Sequence, residues 1–158
     1  MICHTLDNSI STIPLQAKAY SWDFINNSEL SEPSDEDNDH GTACAGIIAA
    51  AKNNICGVGI AYNAKVAGMR IIGPQEDIAD ADEAKALNYK YQDVSIYSAS
   101  YGQNDDGRTV GGPAYISKQA LLNGVNKGRD GKGSIFVFPS GNGGNKDNDC
   151  NYDGYANR

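Results

Sequence analysis

Asp37-Asn38-Asp39-His40-Gly41-Thr42-Ala43-Cys44-Ala45-Gly46 is the stretch on which the reading of this chain turns. A run of acids ends in a histidine, Gly-Thr comes next, and an alanine-rich apolar segment opens. Residues 43–51 have the composition of a buried helix, whereas the acidic run from Ser28 to Asp39, with Pro33 inside it, reads as a solvated loop. His40 therefore stands at a helix N-terminus. There the helix dipole disfavours the imidazolium and favours the neutral ring that a general base needs. A lone histidine at a helix start is more often structural, so His40 carries weight only together with its whole string and the motifs downstream.

Four further strings and one short turn come in order: Cys56-Gly57-Val58-Gly59-Ile60-Ala61-Tyr62-Asn63-Ala64-Lys65, Tyr97-Ser98-Ala99-Ser100-Tyr101-Gly102, Asp105-Asp106-Gly107, Ser140-Gly141-Asn142-Gly143-Gly144 and Cys150-Asn151-Tyr152-Asp153-Gly154-Tyr155. Together with the histidine string they resemble subtilisin-type serine proteases, and Cys44 points to the kexin/furin branch. The resemblance runs from about Tyr20 to Arg158. It divides the chain into an unmatched segment, 1–19, and the central part of a peptidase domain, 20–158. In that family an apolar strand ending in Asp-Asp-Gly carries the catalytic aspartate upstream. Asp7 is followed by Asn8-Ser9 and has no such strand before it, so the role is not carried onto it. No serine follows Ser140, so no nucleophile context of the Gly-Thr-Ser type is present. The resemblance thus implies a base, an oxyanion donor and most of a pocket. Because triad residues act as a unit, the chain alone is expected to be inactive.

Composition bounds the partners. At 158 residues the chain is one domain or part of one. Twenty acids against 13 lysines and arginines give a net charge of −7, which argues against nucleic acid and for cationic peptides or metal ions. No stretch has the length and apolarity of a membrane span. The first twenty residues lack the basic start and continuous apolar run of a signal peptide. Cys3, Cys44, Cys56 and Cys150 are not in zinc spacing, and their redox state is open from the sequence. Cys3 and His4 read as random terminal placement rather than a metal pair.

Residues 65–72 read as a short apolar strand, 80–89 as helical, and 94–100 alternate as a strand. Residues 112–128 read as a helix with Pro113 in its first turn and Ile116, Ala120, Leu121 and Val125 packed on a sheet. Residues 133–142 read as a second buried strand. Alternating helix and apolar strand implies an α/β fold, a three-layer parallel sheet with helices on both faces, here incomplete. Sites in such folds gather at the carboxyl ends of strands.

The resemblance also implies roles. His40 is the general base, and the Asn142 side chain donates to the oxyanion; the bland alternative for Asn142 is a turn residue. Asp37 lies beside the substrate residue second from the cut, where an acid pairs with Lys or Arg. Glu83 reads the basic residue four before the cut, or is only part of a solvated helix face. Gly102 ends the strand that pairs with the substrate backbone. Asp105 and Asp153 form the base of the pocket for the residue before the cut, with Tyr155 beside them; Asp105 could also be only a turn residue. Calcium is the implied cofactor. One site would use Asn54, Ile55 and Gly57, in a loop one residue shorter than in kexins. A second would use Asp105 and Asn148. The family has an aspartate at the position of Asn148, so either this site is weaker or Asp147 or Asp149 substitutes. Tyr101 stands where kexins have Trp, Gln103 where they usually have Pro, and Gly111 where some relatives have an acid, which loosens upstream specificity. Cys56 resembles a half-cystine whose partner lies beyond Arg158. Asn26-Asn27-Ser28 is a glycosylation sequon, relevant if the chain is secreted. The resemblance implies a secretory-pathway or cell-surface protein, which favours oxidised cysteines other than Cys44.

The expected function is a calcium-dependent endopeptidase that cuts proproteins after paired basic residues. Two alternatives stand beside it. A non-catalytic relative would bind basic peptides without turnover, and a calcium-dependent structural module would show no preference for them. Intact His40 and Asn142 favour the enzyme, because a binder has no need of either.

Overall fold

The structure, a computed structural model, describes residues 18–29, 40–54, 57–73 and 78–156. The chain forms two compact units, Met1–Asp82 and Glu83–Arg158.

In the first unit a 3-10 turn, Lys18–Tyr20, leads into β1 (Trp22–Asp23); α1 (His40–Ala49) and β2 (Met69–Arg70) come after it. β1 and β2 pair in parallel, Trp22 opposite Met69 and Asp23 opposite Arg70. Helix α1 buries Gly41, Thr42, Ala45 and Ala49, a seam at steps of three and four residues. Ala45, Ala49 and Val66 form its core cluster, with Cys44, Ile48 and Ala64 packed against them. The returning chain caps the helix. The N–H groups of Gly59, Ile60 and Ala61 donate to the carbonyls of Ala50, Ile47 and Ile48 at 2.8, 3.1 and 2.7 Å, supplying partners that a helix end otherwise lacks. A β-carbon on Gly59 would run into the backbone of Ala49 and Ala50, so only glycine lets the chain pass this close. Within the strand expected over 65–72, Met69–Arg70 pair with β1, inside a fully buried run from Val66 to Ile71.

β1 and β2 are tied by a buried ion pair, Arg70 Nη1 to Asp23 Oδ2 at 3.0 Å. Asp23 also accepts the N–H groups of Ile25 and Asn26 and the side-chain amide of Asn26, so the sequon asparagine serves this turn. Arg70→Met strands the Asp23 charge and is expected to cost about 3–5 kcal/mol. Urea denaturation checks this, and a loss below about 1 kcal/mol would show that the pair does not hold the unit.

Helix α2 (Asp80–Leu87) leads into the second unit, which continues with β3 (Ile96–Ser98), α3 (Tyr115–Gly131) and β4 (Ile135–Val137). β3 and β4 pair in parallel with Tyr97 opposite Phe136. The strand–helix–strand order gives the crossover that a parallel pair requires. The rings of Tyr97 and Phe136 stack at 4.9 Å. Gly124 of α3 lies over Phe136, where a β-carbon would meet the ring at 2.6 Å. Burial raises the Tyr97 phenol well above its ordinary range, with Asp93 adding to the effect, and the hydroxyl donates to the Tyr89 carbonyl at 2.7 Å.

Three expectations are corrected here. The seam of α3 is Ser117, Ala120, Gly124 and Gly128; Ile116 and Val125 are 44% and 52% exposed. Close approach of helix to sheet selects small side chains and turns the large ones outward. The second strand is not buried on both faces either: Ile135 and Val137 are half exposed, while Phe136 faces α3. Pro113 precedes α3 rather than sitting in its first turn, and helical geometry breaks at Gly128–Asp130, where Arg129 and Asp130 take φ of 51° and 55°. The Gly133 N–H closes that turn on the Gly128 carbonyl at 2.9 Å.

Candidate active site

His40 is the first residue of α1 and is exposed, as its place in the sequence predicts. Cys44, one turn on, brings its half-buried free thiol to 3.9 Å from His40 Nε2. Asp37 and Ile55 lie outside the described residues. In the 51–57 turn the Asn53 side-chain amide donates to the carbonyls of Ala51 and Gly57 at 2.9 and 3.1 Å. Asn54 is exposed. The Gly57 carbonyl thus has an amide partner, and Ile55, between Asn54 and Gly57, lies outside the described residues.

In the second unit three loops meet at Asp105. Its Oδ2 accepts the Asn142 backbone N–H at 2.6 Å, and its Oδ1 accepts the Asn148 amide at 2.9 Å. Gly141, with φ of +86°, makes the approach possible, since a β-carbon there would sit 2.5 Å from Asp105 Oδ1. Asn142 itself is exposed and its side chain makes no capping bond. The carboxylate at the expected pocket base thus also anchors the backbone of the expected oxyanion donor. Asp106 serves its own turn: it accepts the Thr109 N–H and hydroxyl and the Arg108 N–H, which lower its carboxyl to about 2. Gly107 lets this turn abut the Lys146 carbonyl.

Asn148 Oδ1 is buried and has no hydrogen-bond partner. A half-turn of the amide would set that oxygen beside the Asp105 carboxylate, an arrangement that repels without a cation and suits a hard one. Asp105 and Asn148 therefore fit the second calcium position. Asp149 accepts the Asn151 N–H at 2.8 Å, within its own turn. Among the described residues no group of three or more His, Cys, Asp or Glu side chains could hold a metal, so this position would rely on carbonyl oxygens and water beside its single carboxylate.

Asp153 is buried and paired across a parallel bridge with Gly111. Its Oδ1 accepts the Tyr155 N–H at 2.7 Å, and its Oδ2 lies 3.5 Å from where a β-carbon on Gly102 would stand. Gly102 therefore exposes its backbone directly above an acid. Over Gly111 the space is filled by the Gln103 amide, a neutral group.

Glu83 is not a solvated helix residue. It is 3% exposed and accepts three hydroxyls: Tyr101 at 3.0 Å and Tyr155 at 2.7 Å on Oε1, and Ser117 at 2.6 Å on Oε2. The rings of Tyr101, Tyr155 and Phe138 pack together at 4.9–6.1 Å. Burial first, then the Glu83 charge, raises the Tyr101 phenol well above its ordinary range. Ser117 and Phe138 carried no motif signal in the sequence. Gly141 did, within the Ser140–Gly144 string and as a position able to take positive φ.

The chain is similar to known proteins over most of its length. The subtilase family profile matches residues 5–157, extending upstream of Tyr20. Kexin of Saccharomyces cerevisiae is 54% identical over 138 residues, 87% of this chain and 17% of that protein. A dibasic-processing endoprotease of Yarrowia lipolytica is 50% identical over 87% of this chain and 14% of its own length. Neuroendocrine convertase 2 of Mus musculus is 53% identical over 86% of this chain and 22% of its own length. The chain thus spans between a seventh and about a fifth of these relatives. The crystallised serine protease of Aeromonas sobria, in complex with its chaperone, superposes with a TM-score of 0.63 at 26% identity, over 78% of this chain and 21% of that one. With its parallel strand pairs, its helices and these motifs in order, this chain belongs to the subtilase family of serine endopeptidases.

Proposed function

We propose that this chain is the central part of a kexin-type, calcium-dependent endopeptidase that cleaves proproteins after paired basic residues in the secretory pathway or at the cell surface. The observation that carries the reading is the placement of Asp105 and Asp153. One acid is bonded to the Asn142 backbone and the other lies against Gly102, the two backbone elements that flank the residue before the cut. Acids so placed and half-buried or buried favour a guanidinium or ammonium over any neutral side chain. In the complete enzyme His40 takes the proton from the attacking serine hydroxyl and passes it to the leaving amine. The Asn142 amide donates to the oxygen that gains charge in the tetrahedral intermediate. Asp37 pairs with the basic residue second from the cut. Asp105 and Asn148 would hold the calcium, whose charge would offset their facing oxygens beside the turn that carries Asn142. Among the described residues no helix is long and apolar enough to cross a membrane.

The test is hydrolysis by the full-length protein of matched fluorogenic peptides ending in Lys-Arg, Ala-Arg and Lys-Ala, with and without a calcium chelator. Turnover is expected to be at least about a hundredfold higher for Lys-Arg than for Lys-Ala, in line with the loss when buried acids go unpaired, and to fall on chelation. Equal rates for all three peptides would sink the dibasic reading. Tight binding of Lys-Arg peptides with no turnover would favour the non-catalytic alternative.

A further inference from the structure

Asn26-Asn27-Ser28 is the one Asn-x-Ser/Thr sequon in the chain, and the protease reading leaves it unused. The fold sets it on a closed turn. Asp23 and Ser28 exchange backbone hydrogen bonds in both directions, at 2.8 and 3.0 Å, so residues 24–27 form the loop between them. Asn26 and Asn27 are exposed there. Asn27 takes φ of 52°, a left-handed conformation that asparagine adopts more readily than most residues. An exposed loop of this kind carries a bulky polar group without displacing packed atoms.

The Asn26 side chain is exposed yet bonded inward. Its Nδ2 donates to Asp23 Oδ2 at 2.9 Å, the same oxygen that accepts Arg70 Nη1, and its backbone N–H donates to Asp23 Oδ1 at 3.0 Å. Asp23 is 2% exposed, so the loss of a donor there is costly. A primary amide has two hydrogens. Asp23 engages one of them, and substitution of the other leaves a secondary amide that still donates.

We propose that Asn26 is N-glycosylated, and that the glycosylated amide keeps its bond to Asp23. The modification is then built into the turn that carries the Asp23–Arg70 pair. The inference rests on the secretory placement proposed above. The donor class is a lipid diphosphate-linked oligosaccharide. A bond forms from Asn26 Nδ2 to the anomeric carbon of the first sugar, the bond from that carbon to the diphosphate oxygen breaks, and the amide gives up one proton.

The full-length protein is recovered from the secretory pathway of a eukaryotic host, and its glycans are released with a glycan amidase in heavy-oxygen water. Mass spectrometry is expected to find a heavy-oxygen aspartate in place of Asn26. Ser28→Thr should keep the modification and Ser28→Ala should lose it. The role of the amide is read from thermal unfolding. An endoglycosidase that leaves one sugar on Asn26 is expected to change the unfolding temperature by less than about 1 °C. Asn26→Asp sets a carboxylate against Asp23 and is expected to lower it by at least about 2–4 °C relative to Ser28→Ala, which loses the glycan and keeps the amide. Equal unfolding temperatures for Asn26→Asp and Ser28→Ala would overturn the role of the amide. An unmodified Asn26 in protein recovered from the secretory pathway overturns the inference and leaves the protease reading intact. Wild-type protein that stays in the cytosol sinks the secretory placement and this inference with it.

Discussion

His40→Ala in the full-length protein is expected to lower kcat for Lys-Arg peptides by about 10⁴–10⁶, the scale seen when a subtilisin loses its histidine. That magnitude is taken from a relative; it does not come from the geometry of this chain. The direction does come from this chain. His40 is exposed at the first turn of α1, and its side chain supports no part of the unit's core, so the variant should unfold at nearly the wild-type temperature and still bind the peptide. Activity within about a hundredfold of wild type would show that His40 is not the base. Loss of folding together with activity would show that its role is structural.

Asp105→Asn carries the second large effect. The wild-type carboxylate accepts two donors, the Asn142 N–H and the Asn148 amide. An asparagine has one acceptor oxygen and would turn its own N–H₂ toward one of them. Keeping both contacts then requires the Asn148 amide to turn over, and the bond to the Asn142 N–H loses its charge, which loosens the turn that carries Asn142. The expected result is a fall of about 10²–10³ in kcat, comparable with loss of the oxyanion donor itself. Selectivity for arginine before the cut should fall with it. A double-mutant cycle separates the two contributions. If Asp105 acts on catalysis by positioning Asn142, then Asp105→Asn costs little more kcat in an Asn142→Ala background. Full additivity would mean that Asp105 affects kcat by another route.

The sequence by itself determined the order of strand and helix, the parallel pairing that this order requires, and the chemistry of the residues that match the family motifs. These are local or periodic properties. His40 before an alanine-rich run, Gly141-Asn142 after a short apolar strand, and the acids at 105 and 153 are each legible within a few residues of chain. It also overstated burial. Residues 133–142 and 112–128 are apolar enough to read as enclosed, and only the packing of Gly124 on Phe136 decided which face is covered.

Glu83 shows the limit most clearly. Its neighbours on the helix make it look like a solvated surface acid, and its partners lie 18, 34 and 72 residues away. No window of sequence contains them. The same holds for Asp105, whose bonds to Asn142 and Asn148 span 37 and 43 residues. Residue type and spacing state what a side chain can donate or accept. Burial and long-range contact decide what it meets, because the cost of an unpaired buried charge is settled only once the fold has chosen its surroundings.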